Sequence, residues 1–340
     1  MKIECVDRLD AVDPPAWDAL LAASRLRSPF LSATWQRQWA SVFAEGHRVD
    51  LRLVRDAEGS LLAALPLYEV EPGVLELIGG ADISDYLDLL AVAGREEEAW
   101  SALLAARAAD RARWVLHAVP AASPTTRALP ALAAAVGLTV DVMLEERCPV
   151  LDLPASWDAY LAALSSKHRH ELTRKMRRFE REAPDGRAVV LRRSDEIAAR
   201  LDDFLGLHRR SRVGKSKFMD ARMERFFRAA LPALAERDGV ALWLLEAGGA
   251  PIASFVCLEW DDTVGLYNSG FAPERASLSP GLVLLAHLIR DAIERRCRRF
   301  DFLRGEERYK YELGPRPEDV YRVTIASAAA ANPASRPPRP

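Results

Sequence analysis

The sequence predicts an α/β fold that occurs twice along the chain, and three observations support this prediction. The chain has 340 residues, about twice the roughly 150 residues of an ordinary domain. Its composition, with 49% hydrophobic and 28% charged residues, is that of a soluble globular protein. The periodicity of its apolar residues gives the element order α-β-β-β-α-β in each half. No residue-level repeat accompanies this order, so the duplication is inferred from the elements alone.

The first half begins with two helices and continues with strands. The first helix opens at Asp13 and carries Trp17 on its apolar face, and the second is predicted at residues 31–43. Two strands separated by the turn Glu58-Gly59-Ser60 then form a hairpin. The predicted strands of this half are residues 49–56, 61–70, 74–78, 86–92 and 114–119, and a helix covers residues 96–111.

The second half repeats this order with more helix before its strands. The turn pairs Gly248-Gly249 and Asp261-Asp262 separate three predicted strands. Helices are predicted at residues 157–164, 167–182, 196–212, 221–236 and 282–296, and strands at 240–247, 251–260, 263–271 and 299–303. We therefore predict an N-terminal domain at residues 1–150 and a C-terminal domain at residues 151–325. Residues 326–340 are almost entirely Ala, Ser, Pro and Arg and are expected to be disordered.

Charge and cysteine usage exclude several classes of protein. The 47 basic and 49 acidic residues give a net charge of −2, so the chain as a whole does not attract nucleic acid or anionic membrane. Its four cysteines are too far apart for a close-spaced zinc or iron–sulfur motif, and no metal is expected. No uncharged stretch reaches the roughly eighteen residues of a membrane helix. We expect a cytoplasmic protein with reduced cysteines.

The segment after the third strand of the second half is a candidate anion-binding site. Ser279 is the expected N-cap of the next helix, Pro280 suits its first turn, and Gly281 lets a ligand approach the backbone. The free amides and positive dipole end of a helix N-terminus attract phosphate. Arg275 is placed to add a charge-assisted hydrogen bond. The alternative is that Ser-Pro-Gly only caps the helix.

A second candidate site follows the last predicted strand. Glu306, Tyr309 and Lys310 come shortly after Gly305, at the strand end where open α/β sheets place their sites. A surface loop explains the charges as solvated side chains. It explains less well the aromatic residues beside Lys310.

These two segments resemble a known family. The resemblance is to the GNAT-like acetyltransferase family of the cellulose-biosynthesis protein CelD, itself similar to FemAB-type peptidyltransferases. It extends upstream to Ser84-Asp85-Tyr86 and to the helix at residues 164–179, and it covers about residues 16–323. The motifs that carry it are Ser279-Pro280-Gly281, Gly305-Glu306 and Tyr309-Lys310.

The resemblance implies two tandem GNAT folds, with mixed β-sheets flanked by helices, and the transfer of an acyl group. The donor would be acetyl-CoA or another acyl-CoA, bound by the loop from Arg275 to Gly281. Simpler GNAT enzymes carry a glycine-rich pyrophosphate loop at this place, of which this chain keeps one glycine. FemAB-type relatives use aminoacyl-tRNA instead of an acyl thioester.

Attack by an amine on the acyl group requires a base for the amine proton and stabilisation of the developing oxyanion. We assign Glu306 or Asp85 as the candidate base. Lys310 is the candidate group for the oxyanion or the donor, and Tyr309 for proton transfer to the leaving group. The expected acceptor is an amine of a sugar, an amino acid or an envelope or exopolysaccharide precursor.

A run of basic residues supports a rival hypothesis. Seven Lys or Arg residues lie within residues 167–181, against two Glu, and such a helix could bind a phosphate-bearing donor or tRNA. An equally weighted interpretation is a solvated helix face. The alternatives to acyl-CoA transfer are thus an aminoacyl-tRNA-dependent FemAB-like peptidyltransferase, the only case with a nucleic-acid partner, and a non-catalytic scaffold of a polysaccharide-biosynthesis machinery.

Overall fold

The computed structural model describes residues 1–107, 111–211, 217–237 and 239–327. The chain divides into two compact units, one formed by Met1–Glu146 with the chain from Asp319 onward, the other by Arg147–Glu318. The sequence placed residues 319–325 in the second domain, whereas the structure places them in the first unit. Among the described residues, no helix is both long and apolar enough to span a bilayer.

The first unit is a mixed sheet flanked by helices. Its strands are β1 (Lys2–Val6), β2 (Val49–Arg55), β3 (Leu61–Glu71), β4 (Val74–Leu77), β5 (Leu90–Ala91), β6 (Arg113–Pro120), the first part of β7 (Leu138–Asp152) and the last part of β13 (Arg316–Ser327). Their order is β1-β2-β3-β4-β6-β13-β7, and β5 pairs with β3. The helices are α1 (Pro14–Ala23), α2 (Ala33–Phe43), α3 (Glu96–Ala106), α4 (Pro124–Arg127) and α5 (Leu129–Ala134).

The second unit is also a mixed sheet with helices. Its strand order is β7-β12-β11-β10-β9-β8, where the new strands are β8 (Arg187–Leu191), β9 (Val240–Ala247), β10 (Ala250–Trp260), β11 (Thr263–Phe271) and β12 (Arg299–Asp301). Its helices are α6 (Trp157–Ala163), α7 (Ser166–Glu182), α8 (Ser194–Ser211), α9 (Ala221–Ala235), α10 (Pro280–Glu294) and α11 (Arg308–Tyr311).

Both units use the same series of strand pairings. In the first unit, β1–β2, β2–β3 and β3–β4 are antiparallel and β4 pairs in parallel with β6. In the second, β8–β9, β9–β10 and β10–β11 are antiparallel and β11 pairs in parallel with β12. Each parallel pairing covers three residue pairs. The repeated topology confirms the predicted duplication.

Local sequence explains where several elements begin. Pro14 and Pro15 occupy the first turn of α1, where a missing amide proton is tolerated. The Ser32 hydroxyl accepts a hydrogen bond of 3.2 Å from the amide of Trp35 and so caps α2. The predicted hairpin is confirmed by β2 and β3, and Gly59 in its turn has a φ of +87°, which glycine adopts without strain.

The core of the second unit joins α7 and α10 to the sheet. Leu172 and Phe179 of α7 belong to one buried cluster with Leu284 and Ile289 of α10 and Phe300 of β12. Complete burial of such side chains stabilises a fold by roughly 1.5–3 kcal/mol each. This cluster therefore holds the beginning of α10 in place after β11.

Several predicted elements differ from the structure. Residues 86–92 were predicted as a strand, but only Leu90–Ala91 pair with β3, and the preceding residues form a buried irregular segment. The predicted helix 96–111 ends at Ala106, and residues 108–110 lie outside the described residues. Ala326 and Ser327 end β13 instead of starting a disordered tail, while residues 328–340 lie outside the described residues. Strands β1, β7, β8 and β13 were not predicted.

Candidate active site

The whole of the short strand β12 pairs with the beginning of β11. Three residue pairs join them, the last being Gly265 with Asp301. β12 ends there, whereas β11 continues to Phe271, so β11 is not paired with β12 after Gly265. Sites in open α/β sheets lie at the carboxyl ends of the strands. We call residues 266–271 of β11 and residues 302–306 after β12 the β11–β12 junction, and it is the candidate active site.

A β-bulge lies in β11 at this junction. The pairing with β10 skips Tyr267, because its neighbours Leu266 and Asn268 pair with consecutive residues of β10. A bulge bends its strand and redirects side chains, and bulges are frequent beside active sites. Tyr267 stacks on Phe227 of α9, with ring centroids 5.8 Å apart. The bulge therefore turns Tyr267 towards the face of the sheet that α9 covers.

Helix α10 begins shortly after β11, with Pro280 and Gly281 in its first turn. A Cβ atom on Gly281 would meet no heavy atom within 4 Å, so the backbone here is open to close approach. Ser279 was expected to cap the helix with its side chain, but this side chain forms no capping hydrogen bond and the residue has a φ of 52°. The left-handed conformation of Ser279 is uncommon for a residue other than glycine.

Arg275 lies in a short 3-10 helix, Pro273–Leu278, between β11 and α10. Its side chain is exposed, and among the described residues it forms no ion pair. One guanidinium nitrogen lies 3.5 Å from the position of a Cβ on Gly248, which places the group beside the β9–β10 turn. The guanidinium is thus available to an anion, and its role in donor binding stays a prediction.

Glu306 lies on the exposed surface after β12. Tyr311 donates a hydrogen bond of 2.9 Å from its hydroxyl to Oε1 of Glu306, and Nη1 of Arg147 lies 3.5 Å from Oε2. Burial and this hydrogen bond both raise the pKa of Tyr311, so the phenol remains a donor at neutral pH. The two contacts orient the carboxylate. Tyr311 was not among the predicted site residues, although it belongs to the same aromatic run.

Lys310 is buried, in contrast to its expected role at the oxyanion or the donor. Only 4% of the residue is exposed. Its ammonium donates to the carbonyl oxygens of Phe302, Arg304 and Gly305 at 3.1, 2.9 and 3.0 Å, and it lies 2.9 Å from the carboxylate of Glu307. An ammonium has three protons, and these oxygens engage them all. Lys310 therefore anchors the loop after β12.

Tyr309 is half-buried and packs against the core cluster of the second unit. It lies on α11 beside Lys310, in the turn that follows the loop of Glu306. The structure thus places Glu306, Tyr309 and Lys310 after β12 and the loop from Arg275 to Gly281 after β11. These are the carboxyl ends of two neighbouring parallel strands. The catalytic roles of these residues stay predictions.

Asp85 lies in the first unit, within the buried segment at residues 78–89. Its residue exposure is 9%. The segment is held by a hydrogen bond of 2.9 Å from the indole of Trp35 to Ser84 and by one of 3.1 Å from the amide of Leu87 to the carbonyl of Ala118 in β6. Asp85 is therefore part of a tightly bonded segment, and its role as a base stays a prediction.

One polar pair at the junction was missed at the sequence level. His208 of α8 is buried, and its Nε2 lies 2.9 Å from Oδ1 of Asn268 on β11. A Cβ on Gly270 would lie 2.4 Å from the backbone nitrogen of His208, so α8 crosses directly over this part of β11. The one signal in the sequence for this His208–Asn268 pair is that a histidine lies on the apolar face of α8.

Helix α7 carries three of its basic residues on the side opposite to Leu172 and Phe179. At 100° per residue, Lys167, Arg174 and Arg178 project within about 40° of one another. Part of this charge is paired within the helix: Glu171 contacts Arg174 and Lys175, and Glu182 contacts Arg178 and Arg181. Lys167 and Arg177 are exposed and form no ion pair with any described residue.

The comparisons with known proteins concern the fold and part of the second unit. The family model described as an acetyltransferase (GNAT) domain matches residues 166–311, which contain β8 to β12 and both segments of the candidate site. The matched residues lie within the second unit. No curated protein is significantly similar in sequence.

Solved structures resemble almost the whole chain. FemX is 11% identical with a TM-score of 0.62, covering 94% of this chain and 96% of that chain. L-PGS from Bacillus licheniformis is 14% identical with a TM-score of 0.58, covering 94% and 93%. The C-terminal domain of a putative lysylphosphatidylglycerol synthetase from Agrobacterium fabrum is 13% identical with a TM-score of 0.59, covering 95% and 93%. At these identities the likeness concerns the fold, which is an α/β GNAT fold with mixed sheets flanked by helices.

Proposed function

We propose that the protein is an N-acyltransferase that takes its acyl group from acetyl-CoA or another acyl-CoA and transfers it to a primary amine of a sugar, an amino acid or an envelope precursor. The observation that carries the proposal is the β11–β12 junction. There, an open helix start with Gly281 follows one parallel strand, and a carboxylate at Glu306 follows its neighbour.

The donor's pyrophosphate would bind at the first turn of α10. Free amide groups and the positive end of the helix dipole favour a phosphate at this place. Gly281 leaves room for it, since no heavy atom surrounds its missing Cβ. The exposed guanidinium of Arg275 would add a charge-assisted hydrogen bond.

The acceptor would lose its proton to Glu306, the exposed carboxylate oriented by Tyr311. The amine nitrogen attacks the thioester carbonyl carbon, and the carbonyl electron pair moves to its oxygen. The C–S bond then breaks, and the thiolate takes up a proton from Tyr309. A link to polysaccharide biosynthesis belongs to this proposal and depends on the family resemblance alone. Placement in the cytoplasm also belongs to it and depends on the cysteine usage and hydropathy of the sequence.

A second candidate function is transfer from aminoacyl-tRNA. The exposed basic face of α7 favours it, because phosphate backbones bind such surfaces. The structural likeness to FemX is consistent with this candidate. We rank it second, because four of the basic residues already have carboxylate partners within the helix.

Calorimetric titration of the full chain with acetyl-CoA and, separately, with mixed tRNA distinguishes the candidates. We expect binding of acetyl-CoA and release of free thiol when primary amines such as glucosamine or lysine are added. Tight tRNA binding that weakens steeply with salt would support the second candidate. Binding of neither ligand would refute both and leave a non-catalytic scaffold.

A further inference from the structure

Two consecutive peptide groups after β12 turn their carbonyls towards the ammonium of Lys310. The oxygens of Arg304 and Gly305 lie 2.9 and 3.0 Å from Nζ. In a trans peptide, the N–H of the following residue points opposite to the carbonyl, and the described chain has no cis peptide bond. The amide protons of Gly305 and Glu306 therefore point away from Lys310.

Neither of these two amides is used as a donor within the described part of the chain. Among the described residues, no acceptor takes a hydrogen bond from the N–H of Gly305 or Glu306. Gly305 is half-buried and Glu306 is exposed, so this part of the loop lies at the surface of the second unit. A backbone N–H that has no acceptor within the protein forms its hydrogen bond with water or a ligand.

The inward turn of the carbonyls depends on Lys310 and on Gly305. Gly305 has a φ of +105°, which glycine adopts most readily. A Cβ at this position would lie 2.7 Å from the Glu307 carboxylate and 3.4 Å from Nζ of Lys310. A buried ammonium is stable only with oxygen partners. The Lys310 ammonium therefore stabilises the loop conformation in which the carbonyls point inward and the amides point outward.

We propose that the amides of Gly305 and Glu306 are oxyanion-binding groups of the acyl transfer and that Lys310 is the positioning residue that orients them. This inference rests on the proposed function. When the amine nitrogen bonds to the acyl carbon, the negative charge that develops on the carbonyl oxygen meets these N–H donors. When the C–S bond breaks, the charge returns into the carbonyl. Preorganised donors of this kind accelerate acyl transfer.

The test compares Lys310→Met with the wild-type protein, and Lys2→Met, at an exposed position at the start of β1, is the control. We expect Lys310→Met to lower kcat for acetyl-CoA and a primary amine by roughly 10²- to 10³-fold, as for the loss of an oxyanion donor. KM for acetyl-CoA should change by less than about threefold, since the bound ground state is little affected. Hydrogen exchange over residues 302–309 should speed up, and the control should match wild type in all three.

Two results overturn the inference. One is a Lys310→Met protein that keeps its kcat. The other is a protein that loses kcat with unchanged hydrogen exchange in the loop, since Lys310 would then act on the substrate directly. If Lys310→Met does not fold, amine-selective labelling of wild type decides: the inference requires Lys310 to react far more slowly than the exposed Lys2. If the wild-type protein shows no acyl transfer, the proposed function is refuted instead. Amine labelling and hydrogen exchange then still test whether Lys310 anchors the loop after β12.

Discussion

Replacing Gly281 with Val tests the donor site with little disturbance of the fold. The Cβ position of Gly281 is free of neighbours within 4 Å, so the larger side chain meets no protein atom there. Val has a helix propensity better than Gly by a few tenths of a kcal/mol. We therefore expect the free energy of unfolding to change by less than about 0.5 kcal/mol.

The same side chain should weaken donor binding strongly. It places branched carbons beside the first-turn amides, where the pyrophosphate would approach. Hydrogen bonds to charged groups contribute about 1.5–3 kcal/mol each. The loss of one such bond corresponds to a decrease in affinity of roughly 10- to 150-fold.

Isothermal titration with acetyl-CoA measures this loss, and thermal unfolding monitors the fold. Gly206→Val in α8 is the matched control, because the Cβ position of this helical glycine is equally free of neighbours. We expect the control to bind acetyl-CoA as wild type does. A folded Gly281→Val protein with unchanged affinity would show that the turn only begins a helix and would refute the reasoning.

Three further predictions concern α7, the first unit and the contact of α8 with β11. In α7, four basic residues are exchanged together for Gln: Arg174, Lys175, Arg177 and Arg178. We expect this variant to bind acetyl-CoA only a few-fold more weakly, with a shallow salt dependence. If wild type binds tRNA tightly and the variant loses both this affinity and its salt dependence, our choice of donor is contradicted. Burial lowers the pKa of His117, but its hydrogen bonds with Glu145 and Glu76 raise it to about 9, above the unfolded value of about 6.5. Stability from this group is full below pH 6.5 and is lost as the pH rises through 9, so unfolding from pH 6 to 10 should show a decline that is absent in His117→Gln. Gly270→Ala should destabilise by roughly 1–3 kcal/mol, because its Cβ would overlap backbone atoms of α8, and denaturant unfolding that matches wild type would contradict this contact.

Elements with strong periodicity and clear turns were predictable. Strands β9 and β11 have the predicted bounds, because Gly248-Gly249 and Asp261-Asp262 are turn signals at the ends of apolar runs. Strand β7 was missed, since its first half is largely exposed and carries many charged residues. Residues 86–92 were wrongly predicted as a strand. A buried irregular segment is as rich in apolar residues as a buried strand, so composition does not distinguish the two.

The two candidate segments were predictable from the sequence, but their geometry was not. Serine before Pro280 predicted a capping side chain, while the backbone of Ser279 adopts a left-handed turn. A lysine beside tyrosines and glutamates was predicted to meet the oxyanion or the donor, while the carbonyls of its own loop surround it. Such contacts depend on how a loop closes on itself, which residue types alone do not determine.

The difference between the two units explains why most of the candidate residues lie in the second. Both have a parallel pairing of three residues, at β4–β6 and at β11–β12. In the first unit, the chain after β4 remains buried and bonds to β6 through Leu87 and Ala118. In the second, β11 leads instead to an exposed 3-10 helix and the open start of α10. A site at β4–β6 would require Leu87 and its neighbours to leave the core, at a cost of roughly 1.5–3 kcal/mol for each large apolar side chain. The duplicated fold thus leaves one junction accessible to a substrate, and the chemistry we propose belongs there.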